Sequence, residues 1–153
     1  MKKFFKIIAL LVLLGFAGIQ FVRPERVNPP VVPGETLEAA ANVPKEVSDI
    51  LKRSCKDCHS NETVYPWYSN IAPISWSVVD HIRAGRDELN FSKWATYSGS
   101  RKKRKLEEIC KEVEERQMPH TQYLWIHRDA YLSDSDIETL CDWTKNVAIK
   151  KEQ

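Results

Sequence analysis

Three residues near the middle of the chain combine the side chains and the spacing of a covalent cofactor site. Cys55 and Cys58 lie three positions apart, and His59 follows the second cysteine directly. In a Cys-x-x-Cys-His sequence, the two thiols can form thioether bonds to one haem and the imidazole can ligate its iron. With four cysteines and four histidines in 153 residues, roughly 0.003 such matches are expected by chance. The spacing therefore predicts one covalently bound haem c.

Two other uses of a Cys-x-x-Cys pair are disfavoured by the rest of the sequence. A thioredoxin-like redox pair belongs to a βαβ pattern, which the sequence does not show. A structural zinc site needs a second pair of ligands at short spacing, and the remaining cysteines, Cys110 and Cys141, are far apart. Haem attachment is therefore the function predicted for this motif.

The second axial ligand of the iron is predicted to be Met118. It is the only methionine after the first residue, and it precedes Pro119 in a polar segment that does not resemble protein core. A thioether ligand would raise the reduction potential of the iron. The three other histidines are alternatives for this position, although each could equally be a surface or hydrogen-bonding side chain: His81, His120 and His127.

Residues that come after the motif are expected to complete its surroundings. The proximal imidazole of His59 needs a hydrogen bond at its other ring nitrogen, and the backbone carbonyl of Pro73 is the predicted acceptor. Four aromatic residues are expected to wall the porphyrin, unless they are ordinary core: Trp67, Tyr68, Trp76 and Trp94.

The elements that must position these residues are predicted to be helices. Four segments carry apolar residues at helical spacing, and none alternates convincingly as a strand. These segments are residues 43–51, residues 75–84 with Ser75 as N-cap and Gly85 as the stop, a stretch after Ser100, and residues 133–147 with a capping box of Ser133 and Asp136. The expected fold is a small all-α domain that is preceded by an N-terminal apolar helix.

Two features of the later helices carry separate expectations. Cys110 and Cys141 lie on the predicted buried faces of the third and last helices, where they are either free thiols or a disulfide. The basic run at residues 101–105 opens the third helix. We expect this run to be a solvated face, and docking to an acidic redox partner is the less favoured interpretation.

The N-terminal segment has the pattern of an export signal. Lys2, Lys3 and Lys6 precede an apolar run at residues 7–19. This order leaves the positive end in the cytoplasm and exports the rest of the chain. Residues 1–22 are therefore predicted to be a signal-anchor, or a signal peptide if they are cleaved. Both possibilities place the protein on the periplasmic side of the cytoplasmic membrane.

Composition separates the next two regions. Residues 23–42 hold four of the eight prolines and are predicted to be a Pro-rich tether, so that the domain covers residues 43–150.

Of the 23 basic residues, three precede residue 22, which leaves 20 basic against 21 acidic residues beyond it, a net charge of −1. This balance argues against a nucleic-acid partner.

From about residue 20 to residue 143 the chain resembles the bacterial haem-binding domain family of small membrane-associated or periplasmic c-type cytochromes. The resemblance covers the sequences RPERVNPP, CKDCHSNET, YPWYSNIAPISW, HIRAGRDELNFSKW, and an MP element followed by YLWIHRDAYLSDSDIETLCDW. It implies a class-I-like cytochrome c domain with haem on Cys55 and Cys58, His59 as proximal ligand and Met118 as distal ligand. The family is named for haem binding and not for one reaction.

The predicted function is that of a monohaem c-type cytochrome. It would pass single electrons between redox partner proteins at the outer face of the cytoplasmic membrane, and it would not be an enzyme. The alternative is a haem-based peroxidase, or a gas or redox sensor, in which the sixth ligand is exchangeable.

Overall fold

The computed structural model describes residues 1–147, and these residues form helices and short turns without a strand. Eight α-helices are present among them in chain order: α1 (Lys2–Ile19), α2 (Leu37–Ala40), α3 (Lys45–Ser54), α4 (Lys56–His59), α5 (Ile74–Glu88), α6 (Gly99–Glu114), α7 (Thr121–Leu124) and α8 (Asp134–Asn146). Turns of 3₁₀ helix cover Pro33–Glu35, Trp67–Asn70, Phe91–Thr96 and Arg128–Ala130. The all-α prediction is confirmed. Residues 148–150 of the predicted domain lie outside the described residues.

The hydrophobic core lies where α3, α6 and α8 meet. Helix α8 packs against both α6 and α3, and each of the three helices turns one apolar stripe inward. Buried core residues of these helices include Val47, Ile50, Leu51, Leu106, Ile109, Val113, Leu140 and Trp143.

The start of the last helix is as predicted. The hydroxyl of Ser133 accepts a hydrogen bond from the backbone N–H of Asp136, and the carboxylate of Asp136 accepts one from the backbone N–H of Ser133. This reciprocal arrangement satisfies two backbone donors that would otherwise have no partner. Helix α6 begins slightly earlier than predicted, because Ser98 rather than Ser100 is its N-cap.

Helix α5 differs from its prediction at both ends. It starts at Ile74, so Ser75 lies inside the helix and is buried, and it continues through Gly85 to Glu88. Gly85 was expected to stop the helix, but its φ is not in the left-handed region that a glycine stop uses. The longer helix places its C-terminal end beside the Cys-x-x-Cys-His turn, since α5 packs against α4.

Part of the predicted tether belongs to the packed unit instead. Leu37 in α2 is fully buried and Ala41 is 4% exposed, and both lie in the hydrophobic core. Earlier in the same segment, the side-chain amide of Asn28 donates to the carbonyl of Thr63 at 2.9 Å. The packed unit therefore begins before Val43, because Leu37 and Ala41, which follow the prolines of this segment, reach the core.

The basic run at residues 101–105 is not a fully solvated face. Lys102 and Lys105 are 4% and 2% exposed. They lie on the same side of α6 as Leu106 and Ile109, which face the core, so the helical period carries them inward. The expectation of a solvated face is therefore corrected for these two lysines.

The predicted N-terminal helix is present as α1. Its apolar side chains are exposed. Within residues 1–147, no helix has the length and the hydropathy that crossing a membrane requires. Contacts with the rest of the protein begin at the C-terminal end of α1, where the amide of Gln20 exchanges two 3.0 Å hydrogen bonds with the backbone of Ala72.

Candidate functional site

The Cys-x-x-Cys-His sequence forms a single tight turn. Helix α3 ends at Ser54, and Cys55 leaves helical geometry with φ −128° and ψ −42° before α4 begins. The carbonyl of Cys55 accepts hydrogen bonds from the backbone N–H groups of Cys58 and His59, at 3.2 Å and 2.9 Å. Both cysteines are half-buried free thiols. One turn of backbone therefore presents two thiols and an imidazole together.

His59 is oriented by the end of α5. Its Nδ1 lies 2.9 Å from the carbonyl oxygen of Gly85 and 3.1 Å from that of Leu89. Both partners are acceptors, so Nδ1 carries the proton and Nε2 keeps the lone pair that a metal ligand needs. Burial lowers the pKa of His59 and outweighs the two backbone hydrogen bonds, which raise it, so the neutral ring is favoured.

The predicted partner of His59 was wrong. The carbonyl of Pro73 accepts from the backbone N–H of Trp76 at 3.1 Å, inside the first turn of α5. The carbonyl of Gly85 also accepts from the backbone N–H of Leu89 at 2.9 Å, so His59 binds its second lone pair. Leu89 is the C-cap of α5, where carbonyls lack a partner within the helix.

Burial raises the pKa values of both thiols, which keeps them neutral at neutral pH. Burial, with a smaller contribution from the charge of Cys58, raises the pKa of Cys55 to about 12. Burial, with a contribution from Asp57, raises the pKa of Cys58 to about 11. Catalytic redox cysteines have lowered pKa values, which make the thiolate available at neutral pH. These values disfavour a thioredoxin-like use of the pair.

A cavity of about 450 Å³ joins His59 to Met118. Cys55 also lines this cavity, and its apolar walls come from Leu89, Phe91, Ile109 and Val113. Its volume falls within the range of about 300–1,000 Å³ that is typical of small-molecule and cofactor sites. The structure thus brings the two residues predicted as axial ligands to one cavity, although they are far apart in the sequence.

Met118 is held by its backbone. Its N–H donates to the carbonyl of Glu112 at 3.1 Å, and the N–H of Gln117 donates to the same carbonyl at 2.9 Å. The side chain of Met118 is half-buried. The thioether is therefore presented from a segment that is fastened to the last turn of α6.

A second cavity, of about 360 Å³, lies on the Cys58 side of the turn. The three alternative ligands line this cavity and not the one that contains His59: His81, His120 and His127. The rings of His81 and His120 are 5.5 Å apart, and Nε2 of His127 lies 2.6 Å from the hydroxyl of Tyr68. Their placement favours Met118 as the partner of His59.

Only one of the four aromatic residues expected to wall the porphyrin lines either cavity. Tyr68 lies in the wall of the second cavity. Trp67 is 75% exposed, Trp94 is 1% exposed inside the hydrophobic core, and Trp76 donates from its indole nitrogen to the carbonyl of Val22 at 2.7 Å. Aromatic residues close to a motif in sequence can thus point in several directions, and three of these four lie outside both cavities.

The turn is also held by hydrogen bonds from Arg86 and Tyr123, which the sequence did not predict. The guanidinium of Arg86 donates to the carbonyl of Ser60 at 2.7 Å and to the hydroxyl of Thr63 at 2.8 Å. The hydroxyl of Tyr123 donates to the carboxylate of Asp57 at 2.8 Å, which ties the interior of the motif to α7. No local pattern indicated these contacts, because the partners are distant in the sequence.

The last two cysteines are bridged. Cys110 on α6 and Cys141 on α8 form a disulfide, which is one of the two possibilities that the sequence leaves open. Ile109 and Val113, the neighbours of Cys110 along α6, line the cavity that contains His59. The bridge therefore fastens one wall of that cavity to α8.

The chain belongs to the haem-binding domain family. The family model, described as haem-binding domain, matches residues 14–146. No curated protein and no solved structure matches the chain. The donor set fits haem, since an imidazole with a free Nε2 and a thioether share one cavity and two free thiols stand on the adjoining turn.

Proposed function

We propose that the protein is a monohaem c-type cytochrome that carries single electrons. In this proposal Cys55 and Cys58 bind one haem covalently, His59 is the proximal ligand and Met118 is the distal ligand. The observation that carries the proposal is the shared cavity of His59 and Met118, with Nδ1 of His59 bound to two backbone carbonyls. Haem supplies a one-electron iron couple when it is bound.

The side chains of the turn supply the attachment. Cys55 and Cys58 would hold the haem by thioether bonds, each thiol adding its sulfur to one carbon of a vinyl group and its hydrogen to the other. This addition involves no net oxidation, so it requires no oxidant at the site. The tight turn holds both cysteines on the same short segment as His59, so that one haem could be bound by all three side chains.

His59 and Met118 would set the properties of the iron. The carbonyls of Gly85 and Leu89 keep His59 in one tautomer and one orientation, which raises the basicity of Nε2. The thioether of Met118 would favour the reduced state of the iron and raise its reduction potential. The apolar side chains that line the cavity would lower the local dielectric around His59 and Met118, which would strengthen both effects.

A carrier is favoured over a peroxidase or a gas sensor by the way Met118 is held. Enzymes and sensors of that kind need an exchangeable sixth position. Two hydrogen bonds from the Gln117–Met118 backbone to the carbonyl of Glu112 fasten the ligand segment to α6. We therefore propose electron transfer between redox partner proteins, and not catalysis, as the activity.

We further propose that the protein works outside the cytoplasmic membrane, on the periplasmic side. The basic residues and apolar run of α1 have the order of an export signal. The disulfide between Cys110 and Cys141 supports this location, because such bridges persist in oxidising compartments. N-terminal sequencing of the exported protein shows whether the leader is retained as an anchor or removed.

The experiment is an absorption spectrum of the exported protein in its oxidised and reduced states, together with a haem stain on a denaturing gel. We expect covalent haem, a low-spin spectrum and a weak far-red band from methionine bound to ferric iron. The Cys55→Ser and Cys58→Ser double variant should lose the stain, and Met118→Ala should lose only the band. His120→Ala is the matched control and should keep both. Haem stain in the double variant would end the proposal of covalent attachment.

Absence of the far-red band from the unmodified protein, with a low-spin spectrum that is lost in His120→Ala and kept in Met118→Ala, would assign the distal position to the histidine. A high-spin spectrum in the unmodified protein would instead indicate an open sixth position and favour the peroxidase or sensor alternative.

A further inference from the structure

Lys105 is a buried cation at the centre of an ion cluster. The whole residue is 2% exposed. Its ammonium pairs with the carboxylate of Glu108 at 2.6 Å and also with that of Glu88. A buried charge is costly unless it is paired, and it often marks a functional site. The helical period explains why this lysine points inward, but not why a charged residue occupies the position.

Lys105 lies near both residues that are proposed to ligate the iron. Lys105 lines the cavity that contains His59 and Met118. Glu88 is the last residue of α5, and the next residue, Leu89, gives its carbonyl to Nδ1 of His59. The ion pair between α6 and α5 therefore holds the backbone segment that orients the imidazole.

Lys105 keeps its charge in this position. Burial by itself lowers the pKa of Lys105, but the hydrogen bonds and charges of Glu108 and Glu88 outweigh burial and raise the pKa. The ammonium is therefore positive at neutral pH.

We propose that Lys105 is a positioning and charge-tuning residue of the iron site, which raises the reduction potential and fixes the orientation of His59 through Glu88. This inference rests on the proposed function. Reduction removes one positive charge from the iron, so a nearby cation favours the reduced state. The effect is larger in a low-dielectric cavity than in water, because charges interact more strongly there.

The test is a potentiometric titration of the haem-loaded protein with three substitutions. Lys105→Met removes the charge and keeps an unbranched apolar side chain, and it should lower the ferrous-to-ferric ratio at a fixed potential about tenfold, or about 59 mV for one electron. Lys105→Arg keeps the positive charge and the ion pairs, and its reduction potential should equal that of the unmodified protein. Lys103→Met removes an exposed lysine of the same helix and should leave it unchanged.

A fourth variant separates charge tuning from a merely structural role. Glu88→Gln removes a carboxylate whose side chain is 70% exposed, so the fold should tolerate it even if Lys105→Met does not fold. It should raise the potential, by less than Lys105→Met lowers it, because solvent screens Glu88. The NMR resonances of the His59 ring should shift in both variants and stay in place in Lys103→Met.

Opposite signs for Lys105→Met and Glu88→Gln support the inference, and equal potentials in all variants with unmoved His59 resonances overturn it. Failure of the proposed function is a different result. In that case the unmodified protein would lack covalent haem or would not cycle between oxidised and reduced states, whatever stands at position 105.

Discussion

Gly85 and Cys58 are in direct backbone contact. A Cβ atom on Gly85 would lie 2.9 Å from the carbonyl oxygen of Cys58 and 3.3 Å from its Cβ. The carbonyl of the same glycine accepts the hydrogen bond from Nδ1 of His59 at 2.9 Å. The glycine lets α5 approach the Cys-x-x-Cys-His turn closely enough for this bond to form.

Gly85→Ala should therefore destabilise the protein, although alanine is the better helix former by about 1 kcal/mol. The added methyl group meets backbone of Cys58, which cannot rotate away, and overpacking of this kind costs about 1–3 kcal/mol. Urea unfolding measures the loss of free energy of unfolding. The matched control is Gly99→Ala, since a Cβ on Gly99 meets no atom within 4 Å. Equal stability of the two variants would show that the contact is not tight.

Arg86 should be irreplaceable by lysine. Its guanidinium donates to the carbonyl of Ser60, the hydroxyl of Thr63, the carbonyl of Val27 and the side-chain oxygen of Asn28. A lysine ammonium is a compact donor without the planar fork, so it cannot make the same set of bonds. We expect Arg86→Lys to lower the free energy of unfolding by about 2 kcal/mol, since hydrogen bonds to a charged group are the stronger kind.

The same variant should expose the segment before α2 to proteases, because Val27 and Asn28 lose their link to α5. Limited proteolysis with mass spectrometry detects cleavage there. Arg83→Lys, at an exposed position of the same helix, is the control. If both variants resisted cleavage like the unmodified protein, Arg86 would not hold this segment.

The motif and the helices that carry it could be predicted because their signals are local. The Cys55-to-His59 spacing, the apolar stripes of α3, α6 and α8, and the capping box at Ser133 each involve residues within a few turns of one another. Short-range patterns of this kind determine local structure, and they correctly placed α3 directly before the turn.

The predictions that were wrong concern contacts between segments that are far apart in the sequence. The acceptors for His59 are the carbonyls of Gly85 and Leu89, and any residue type supplies a carbonyl, so the sequence carries no sign of them. Lys105 appeared solvated because its burial depends on tertiary packing and one of its two partners, Glu88, lies on α5, far away in the sequence. Leu37 and Ala41 were assigned to the tether because the four prolines before them outweighed two apolar residues in the pattern.

The disulfide should contribute strongly to stability. Cys110 and Cys141 are separated by 31 positions, and closing a loop of this length in the unfolded chain is worth about 3–4 kcal/mol. Adding a reductant should therefore lower the urea midpoint of the unmodified protein. The Cys110→Ala and Cys141→Ala double variant should start at the lower value and should not respond to reductant.

Intact mass checks the bridge directly. The denatured, haem-loaded protein should accept no thiol-alkylating groups before reduction and two after it, since Cys55 and Cys58 are held as thioethers. Alkylation of two thiols without reductant would show that Cys110 and Cys141 are free.

Asp136 should make stability depend on pH in the acid range. Burial by itself raises the pKa of Asp136, but hydrogen bonds from Ser133 and the guanidinium of Arg53 outweigh it and hold the pKa below its usual value. The carboxylate therefore adds stability above the unfolded pKa of about 4, and this is lost as the pH falls through the folded pKa. Asp136→Asn should lose about 1 kcal/mol at neutral pH and less at about pH 3, measured by urea unfolding at each pH. Asp142→Asn, at an exposed position of the same helix, should keep the full acid dependence of the unmodified protein. An unchanged acid dependence in Asp136→Asn would mean that other carboxylates cause it.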